Sequence, residues 1–198
     1  MSKLEPALAL LEFSSIATGI HAADAMVKRA PIDIIKTGTV QPGKYLVLIG
    51  GEVADVEESL AAGRDTGAAD AVDYVYLPQV HQQVVEAIGG GRTPEPEDAL
   101  GIIETTTVAA AIQSADAGLK GADVRLLEIR LADGLGGKGI VFFSGLIHDV
   151  EAAIEIGTGM LSNPNLLLRQ VVIPQLHSEM WENLGGATRF SDRVTGQL

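Results

Sequence analysis

Two stretches of this chain, KYLVLIGGEVADVE (residues 44–57) and KGIVFFSGLIHDVE (residues 138–151), are near-copies of each other. Both begin with lysine, carry glycine at the eighth place and end in Asp-Val-Glu, and the second follows the first by 94 residues. In each stretch, an apolar run typical of a buried strand leads into the start of a helix. One chain therefore contains the same strand-into-helix unit twice, which indicates an internal repeat.

Two further blocks repeat in the same order. Residues 7–30, ALALLEFSSIATGIHAADAMVKRA, match residues 99–122, ALGIIETTTVAAAIQSADAGLKGA, at an offset of 92. Residues 77–90, LPQVHQQVVEAIGG, match residues 173–186, IPQLHSEMWENLGG, at an offset of 96. The offset grows along the chain, so the second half carries two short insertions, and the first lies where VQPGK becomes ADGLGGK. Three collinear blocks make the chain a tandem repeat.

The repeat predicts two domains, at residues 6–91 and 98–186. The intervening GGGRTPEPED has the Gly, Pro and acidic content of a linker and no apolar periodicity. Residues 187–198 have no counterpart in the first half, and we expect them to form a flexible tail.

Each half predicts the same series of elements. An apolar run followed by Ser or Thr predicts a buried strand and a helix N-cap, and apolar residues at spacings of three and four predict the helix. Two strands joined by a tight turn, a second helix, a strand and a short helix follow. The second helix is predicted from about Val53 to Ala62, with Gly63 near its end, and its partner is predicted to end near Gly157. The order β-α-β-β-α-β-α favours an α/β fold, an antiparallel α+β sandwich with helices on one face.

Composition excludes several classes of function. The chain of 198 residues has 26 acidic against 14 basic residues, and this excess of acid does not suit nucleic acid binding. It has no cysteine, which excludes disulfides, thiolate zinc sites, cysteine nucleophiles and cysteine-ligated iron–sulfur clusters. Because no apolar run approaches the roughly 20 residues that span a bilayer, we expect a cytoplasmic protein without a membrane partner.

The segment GLGGKG has the G-x-G-x-x-G spacing of a dinucleotide-binding loop, at Gly134, Gly136 and Gly139. That motif must open a helix, whereas IVFF after Gly139 continues as a strand. A P-loop fails as well, because Ala132 and Gly139 stand where glycine and Ser or Thr belong. We therefore predict no nucleotide site.

The histidines do not indicate a metal or catalytic site. His81 and His177 occupy the same position in both halves, at the start of the short helix, and a duplicated residue of this kind is interpreted as structural. His21 and His148 are single, and no His-x-His or His-x-x-x-His pair exists for a metal.

Glu12 and Glu104 end the first apolar strand of each half, where burying a carboxylate is costly unless it is hydrogen-bonded. A general-acid role is conceivable for either residue. The favoured interpretation is that each carboxylate accepts N–H bonds from the following turn or from a neighbouring unit.

These repeated residues resemble a known family. DAMVKRA after Ala-Ala, the strand-turn-strand ending in Gly-Lys, the Gly-Glu-Val-x-Asp-Val-Glu helix start and IPQLH are similar to the bacterial microcompartment shell domain. The double copy resembles the tandem-domain, trimer-forming shell proteins, closest to the propanediol-utilisation type, over residues 7–184. The resemblance implies two unpermuted, ferredoxin-like domains and no enzymatic activity. It also implies a homotrimer that forms a flat pseudohexameric tile in the shell, with a central pore for metabolites.

In that family the turn between the second and third strands lines the pore. By position, the resemblance assigns this role to Thr39, Val40, Gln41, Pro42 and Gly43, and to Asp133, Gly134, Leu135, Gly136 and Gly137. Gln41 stands where some relatives have a cluster-binding cysteine, so no iron–sulfur cofactor is expected. Rings of Gln41 amides and Asp133 carboxylates would suit small polar metabolites and cations.

The resemblance also implies contacts at the edge of the tile. Lys28 and Lys120 match the edge lysine of the family, and each follows an aspartate at i, i+4 on its helix. Gln79 and Gln175 replace the family's edge arginine. The expected partners are copies of this chain, other shell proteins and the enclosed enzymes.

Two other functions remain open from the sequence. One is a trimeric small-molecule-sensing or small-molecule-binding protein, in which the repeat closes around a ligand at subunit clefts. The other is an enzyme that uses Glu12, Glu104 or the histidines.

Overall fold

The computed structural model describes residues 7–91 and 98–185, and each half contains one four-stranded antiparallel sheet with its helices. The elements of the first half are β1 (Ala7–Phe13), α1 (Ile16–Arg29), β2 (Ile34–Val40), β3 (Lys44–Gly51), α2 (Val53–Gly67), β4 (Ala71–Leu77) and α3 (Gln82–Ile88). Those of the second half are β5 (Ala99–Thr105), α4 (Val108–Gly121), β6 (Arg125–Leu131), β7 (Gly139–Gly145), α5 (Ile147–Gly159), β8 (Leu167–Ile173) and α6 (Ser178–Gly185). The strand orders are β2-β3-β1-β4 and β6-β7-β5-β8, so the predicted α+β fold is confirmed in both halves. Most of the linker and the tail at 187–198 lie outside the described residues.

The hydroxyl residues after the first strand of each half cap the helix that follows. The Ser15 hydroxyl accepts a hydrogen bond from the Thr18 N–H at 3.3 Å, and the Thr107 hydroxyl accepts one from the Ala110 N–H at 3.2 Å. Each cap satisfies one of the free N–H groups in the first helical turn.

The second helix of the first half is longer than predicted. It runs to Gly67 instead of ending near Ala62, because its glycines serve close packing and do not end the helix. A Cβ atom on Gly63 would lie 2.5 Å from the Met26 sulfur, and one on Gly67 would lie 2.2 Å from a Phe13 ring carbon. Glycine lets α2 approach α1 and β1 at a helix-propensity cost of about 1 kcal/mol per residue.

The two insertions in the second half have separate positions. The first lengthens the β6–β7 turn, and the second accompanies a short 3-10 helix at Pro164–Leu166, before β8. Neither insertion interrupts a strand or an α-helix. The pairs β1–β3 and β5–β7 therefore keep matching registers, with Glu12 opposite Leu46 in one half and Glu104 opposite Ile140 in the other.

The halves exchange large and small residues at equivalent core positions. In the first half the Tyr45 ring lies against Gly19, where a Cβ atom would be only 2.6 Å from Tyr45 Cδ1. In the second half Gly139 faces Ala111, and a Cβ atom on Gly139 would lie 2.4 Å from the Ala111 methyl carbon. Side-chain volume at this contact is divided differently between the helix and the strand in the two halves, which allows the same backbone arrangement in both.

The largest core cluster crosses from one half to the other. Val75 and Val84, on β4 and α3, share it with Ile112 and Leu126, on α4 and β6. We call this contact of β4 and α3 with α4 and β6 the internal junction. Because the two domains bury apolar side chains against each other, they are held as one packed unit.

Candidate functional site

Polar contacts cross the internal junction along its length. The Thr107 hydroxyl donates to the Asp73 carboxylate at 2.5 Å, and the His81 N–H donates to the Asp116 carboxylate at 2.8 Å. The Leu126 N–H donates to the Gln83 side-chain oxygen at 2.9 Å. The Lys120 ammonium donates to the backbone carbonyl of Gln79. These directional bonds fix the register in which the apolar surfaces meet.

Glu12 lies at the centre of this contact. Its carboxylate is fully buried, accepts a hydrogen bond from the Ala109 N–H at 2.7 Å and lies 3.3 Å from the Lys44 ammonium. Burial raises the pKa of Glu12, although the Ala109 N–H and the Lys44 charge act to lower it. The first turn of α4 is a favourable place for a negative charge. The prediction that this carboxylate accepts an N–H bond from a neighbouring unit is confirmed.

Glu104 has the same place in the second half but a different environment. Its carboxylate pairs with the Lys138 ammonium at 2.8 Å, and Glu12 pairs with Lys44 at 3.3 Å, yet the Glu104 side chain is 30% exposed. No acid–base role is indicated for Glu12, because its carboxylate is bonded to the Ala109 N–H and to Lys44 and is too buried for a substrate to reach.

The helix face that meets Glu12 is covered in one half and open in the other. Ile112 on α4 is fully buried by the first half, whereas its counterpart Ile20 on α1 is 53% exposed. Val108 is also buried, whereas its counterpart Ile16 is exposed. The α4 face of the internal junction therefore recurs, uncovered, on α1 of the first half.

The opposite face of the junction also recurs uncovered, on β8 and α6 of the second half. Exposed apolar residues there are Val171 and Met180, and the counterpart of Val171 is the buried Val75. Met180 is the counterpart of Val84, which is fully buried in the internal junction. One chain thus carries an unused copy of each side of its own internal contact.

The two loops assigned to the pore lie side by side within the chain. A Cβ atom on Gly137 would lie 2.9 Å from the Gln41 carbonyl oxygen and 3.1 Å from the Pro42 ring. Gly134, Gly136 and Gly137 all have positive φ, so the glycine-rich spacing serves a tight turn. β7 follows as a strand, as predicted, whereas a dinucleotide-binding loop would open a helix.

Residues of these loops differ in their exposure. The exposed ones are Thr39, Gln41, Pro42, Gly43, Asp133, Gly134 and Gly136, whereas Val40 and Leu135 are half-buried and Gly137 is buried.

The residues predicted at the tile edge lie at the rim of the two junction faces. Lys28 and Lys120 each lie 2.5 Å from the aspartate four residues earlier. Lys120 keeps 44% exposure while bound to the Gln79 carbonyl, and Lys28 is 72% exposed on the open face. Gln175 is exposed on the second half. Their contacts with an adjoining tile remain a prediction.

His81 and His177 are structural, as predicted from their duplication. The Nδ1 atom of His81 accepts a hydrogen bond from the Gln83 N–H at 3.3 Å, and that of His177 accepts one from the Glu179 N–H at 3.3 Å. Each ring satisfies a free N–H at the start of a short helix.

A half-open groove of about 390 Å³ lies between α3 and the first sheet. In the second half Trp181 and Phe142 pack in the corresponding region, with the Arg130 guanidinium 5.0 Å from the Phe142 ring centre. Val85 and Leu48 are the smaller counterparts in the first half. The groove lining is almost wholly apolar, which does not suit a polar metabolite.

Neither a metal centre nor a membrane helix is found within residues 7–91 and 98–185. No three His, Asp or Glu side chains of these ranges form a group that could hold a metal ion. No helix in the same ranges is long and apolar enough to cross a membrane.

Sequence reasoning missed several residues of the internal junction. Asp73, Gln83 and Asp116 were not assigned to this contact from the sequence. Ala109 could not be identified there, because this residue contributes only its backbone N–H. One signal was available: Asp73 and its counterpart Arg169 have opposite charges, although their neighbourhoods repeat.

Comparison with known proteins decides the family. A model of the BMC domain matches residues 7–80 and again residues 99–176. The chain belongs to the bacterial microcompartment shell-protein family. Its two BMC domains in tandem account for the repeat, and it is a structural shell protein, as its relatives are, and not an enzyme.

Relatives match the tandem arrangement over most of their length. The microcompartment shell protein PduT of Citrobacter freundii is 35% identical over 181 residues, which cover 91% of this chain and 98% of that protein. A crystal structure of a microcompartment protein from Desulfitobacterium hafniense superposes with a TM-score of 0.77 at 41% identity, covering 89% and 98% of the two chains. The carboxysome assembly protein CcmO of Synechocystis is 26% identical over 203 residues, covering 95% of this chain and 67% of that protein.

Proposed function

We propose that three copies of this chain close into a pseudohexameric ring, which serves as one tile of a microcompartment shell. The observation that carries the proposal is the pair of uncovered faces, one at each end of the chain. The β8–α6 face repeats the side of the internal junction that β4 and α3 supply. The α1 face repeats the side that α4 supplies.

The two faces are different surfaces, so chains would join head to tail. A head-to-tail contact closes into a ring if its rotation permits and otherwise extends into a filament. Closure at three chains arranges six similar domains around one axis, with internal and intermolecular junctions alternating. Burying Ile16, Ile20 and Met180 would supply the hydrophobic driving force.

The equivalent positions predict the contacts between chains. Glu104 would accept a hydrogen bond from the Ala17 N–H of the next chain, as Glu12 does from Ala109. Asp24 would accept the His177 N–H, as Asp116 accepts that of His81. The half-exposed carboxylate of Glu104 would then become as buried as Glu12.

The paired loops would meet around the ring axis and line a pore. Their contact within the chain, at Gly137 and Gln41, supports this placement. Three Gln41 amides and three Asp133 carboxylates in one ring would favour polar metabolites and cations over anions. Lys28 and Lys120 would contact adjoining tiles, so that this chain assembles with other shell proteins around enclosed enzymes.

Disulfide trapping tests the ring directly, because the chain has no cysteine of its own. The variant Asp24→Cys with His177→Cys places one thiol on each uncovered face. Oxidation should give bands of one, two and three chains on a non-reducing gel and none larger. The two single variants are the controls, and each can give at most a two-chain band.

Sedimentation of the unmodified protein provides the second measurement. Three chains of 20.7 kDa should sediment together as a particle of about 62 kDa. A monomer in solution, or a ladder that extends beyond three chains, would contradict the closed ring.

A further inference from the structure

One position of the junction carries opposite charges in the two halves. Asp73 on β4 lies opposite Glu12 in the first sheet, and Arg169 on β8 lies opposite Glu104 in the second. The shared register shows that the two residues occupy one structural position. Asp73 bonds the Thr107 hydroxyl at the start of α4, whereas Arg169 lies on the uncovered face and is exposed.

The helix starts that these residues address differ as well. At the start of α1, the Ser14 N–H donates to the Asp70 carbonyl at 2.9 Å, and the Thr18 hydroxyl donates to the Asp70 carboxylate at 2.5 Å. At the start of α4, the Thr106 N–H makes the same bond, at 2.9 Å, to the carbonyl of Leu166. A carboxylate therefore lies near the start of α1, whereas the equivalent residue at the start of α4, Leu166, has no charge.

Superimposing the two junctions brings the unlike residues together. Arg169 of one chain would face Ser15 of the next, because Asp73 faces the equivalent Thr107. The Ser15 hydroxyl accepts from the Thr18 N–H, and the Thr18 hydroxyl donates to the Asp70 carboxylate. That carboxylate would therefore lie within reach of a long arginine side chain that faces Ser15. Asp73 thus meets a helix start that has the uncharged Leu166, whereas Arg169 would meet a helix start that has the acidic Asp70.

We infer that Arg169 of one chain forms an ion pair with Asp70 of the next, and that this pair selects the alternation of the two junctions. The inference rests on the proposed ring and identifies the partner surface as a second copy of this chain. If β4 of one chain packed on α1 of another, Asp73 would face Asp70, and the two carboxylates would repel. If β8 packs there instead, Arg169 faces Asp70, and its planar guanidinium can pair with both carboxylate oxygens.

Charge reversal and rescue test the pair. We expect Arg169→Glu to weaken trimer association at least about tenfold at low ionic strength, because it places a carboxylate against the Asp70 carboxylate of the next chain. Arg169→Glu with Asp70→Arg restores an opposite pair and should recover most of the lost association. Sedimentation equilibrium over a dilution series measures each variant against the unmodified protein.

Arg29→Glu is the matched control, because it makes the same change in charge at an exposed arginine that pairs with Glu58 on α2. This control should leave association unchanged. Far-UV circular dichroism checks that the variants fold, and Arg169→Gln gives a second readout that does not depend on the double variant. Association of the Arg169→Gln trimer should depend less on salt concentration than association of the unmodified trimer, because each junction between chains lacks an ion pair that salt would screen.

The outcomes separate the pair from the ring. If the unmodified protein is trimeric and neither Arg169→Glu nor Arg169→Gln changes association or its salt dependence, the ion pair is wrong and the ring stands. If the unmodified protein does not form trimers, the ring itself fails and the inference fails with it. Weakening by Arg169→Glu without recovery in a folded double variant would also overturn the pair.

Discussion

Replacing Glu12 with alanine should destabilise the folded chain far more than the same change at Glu104. Glu12→Ala leaves the Ala109 N–H without its acceptor, at about 1–3 kcal/mol for a buried donor. It also leaves the Lys44 ammonium, only 18% exposed, without its counterion. Breaking a buried ion pair on one side costs about 3–5 kcal/mol.

The expected sum is smaller than these two figures together. Lys44 keeps some access to water, and the raised pKa of Glu12 shows that burying its carboxylate is itself costly. We expect the free energy of unfolding to fall by about 3 kcal/mol at neutral pH.

Glu104→Ala provides the matched control, because it removes the same residue type from the same place in the fold. The pair of Glu104 and Lys138 is 30% and 47% exposed, so its loss should cost the single chain under about 1 kcal/mol. In the proposed ring, however, Glu104→Ala should weaken association between chains.

Urea unfolding, followed by far-UV circular dichroism at a concentration where the chains are separate, measures both variants. Since the halves share one core cluster, they should unfold together. Equal and small losses for the two variants would refute the reasoning, because the cost is attributed to burial by the second half.

Three further predictions concern acidity, packing and assembly. Because the folded pKa of Glu12 is raised, the extra stability that comes from protonating its carboxylate is fully present below the unfolded pKa and is lost as pH rises through the folded pKa. The unmodified protein should therefore gain stability relative to Glu12→Gln on acidification, and a constant difference in unfolding free energy would contradict this. Gly19→Ala should cost about 1–3 kcal/mol by forcing a methyl group into the Tyr45 ring, and Gly19→Ala with Tyr45→Gly, which reproduces the pair of the second half, should recover part of that loss in thermal unfolding. Lys28→Ala with Lys120→Ala should abolish sheets in electron micrographs while the trimer persists in sedimentation, and unchanged sheets would refute the edge role.

Much of each domain was readable from local sequence. The repeat, the order of the elements and the caps at Ser15 and Thr107 depend on residues within a few positions of each other. Apolar spacing and hydroxyl caps act over one or two helical turns, so a sequence pattern contains them. The length of α2 could not be predicted, because a glycine at position 63 usually indicates the end of a helix. Only the packing of Met26 against Gly63 shows that this glycine has another role.

The candidate site was only partly predictable for a related reason. The pore loops and edge lysines came from resemblance, whereas the contacts of Asp73 with Thr107 and of Glu12 with Ala109 join residues far apart in the chain. Side-chain type does not reveal which distant backbone group a carboxylate will meet.

The sequence by itself determined that one domain is written twice, that its elements follow one order, and that cysteine chemistry is absent. Only the tertiary structure decided that Ile112 is buried while Ile20 is exposed, and that Glu12 is enclosed while Glu104 remains half-open. The physical reason is that burial belongs to a contact between two surfaces. Equivalent positions acquire different energies because one copy is packed against the other half and the other copy is exposed.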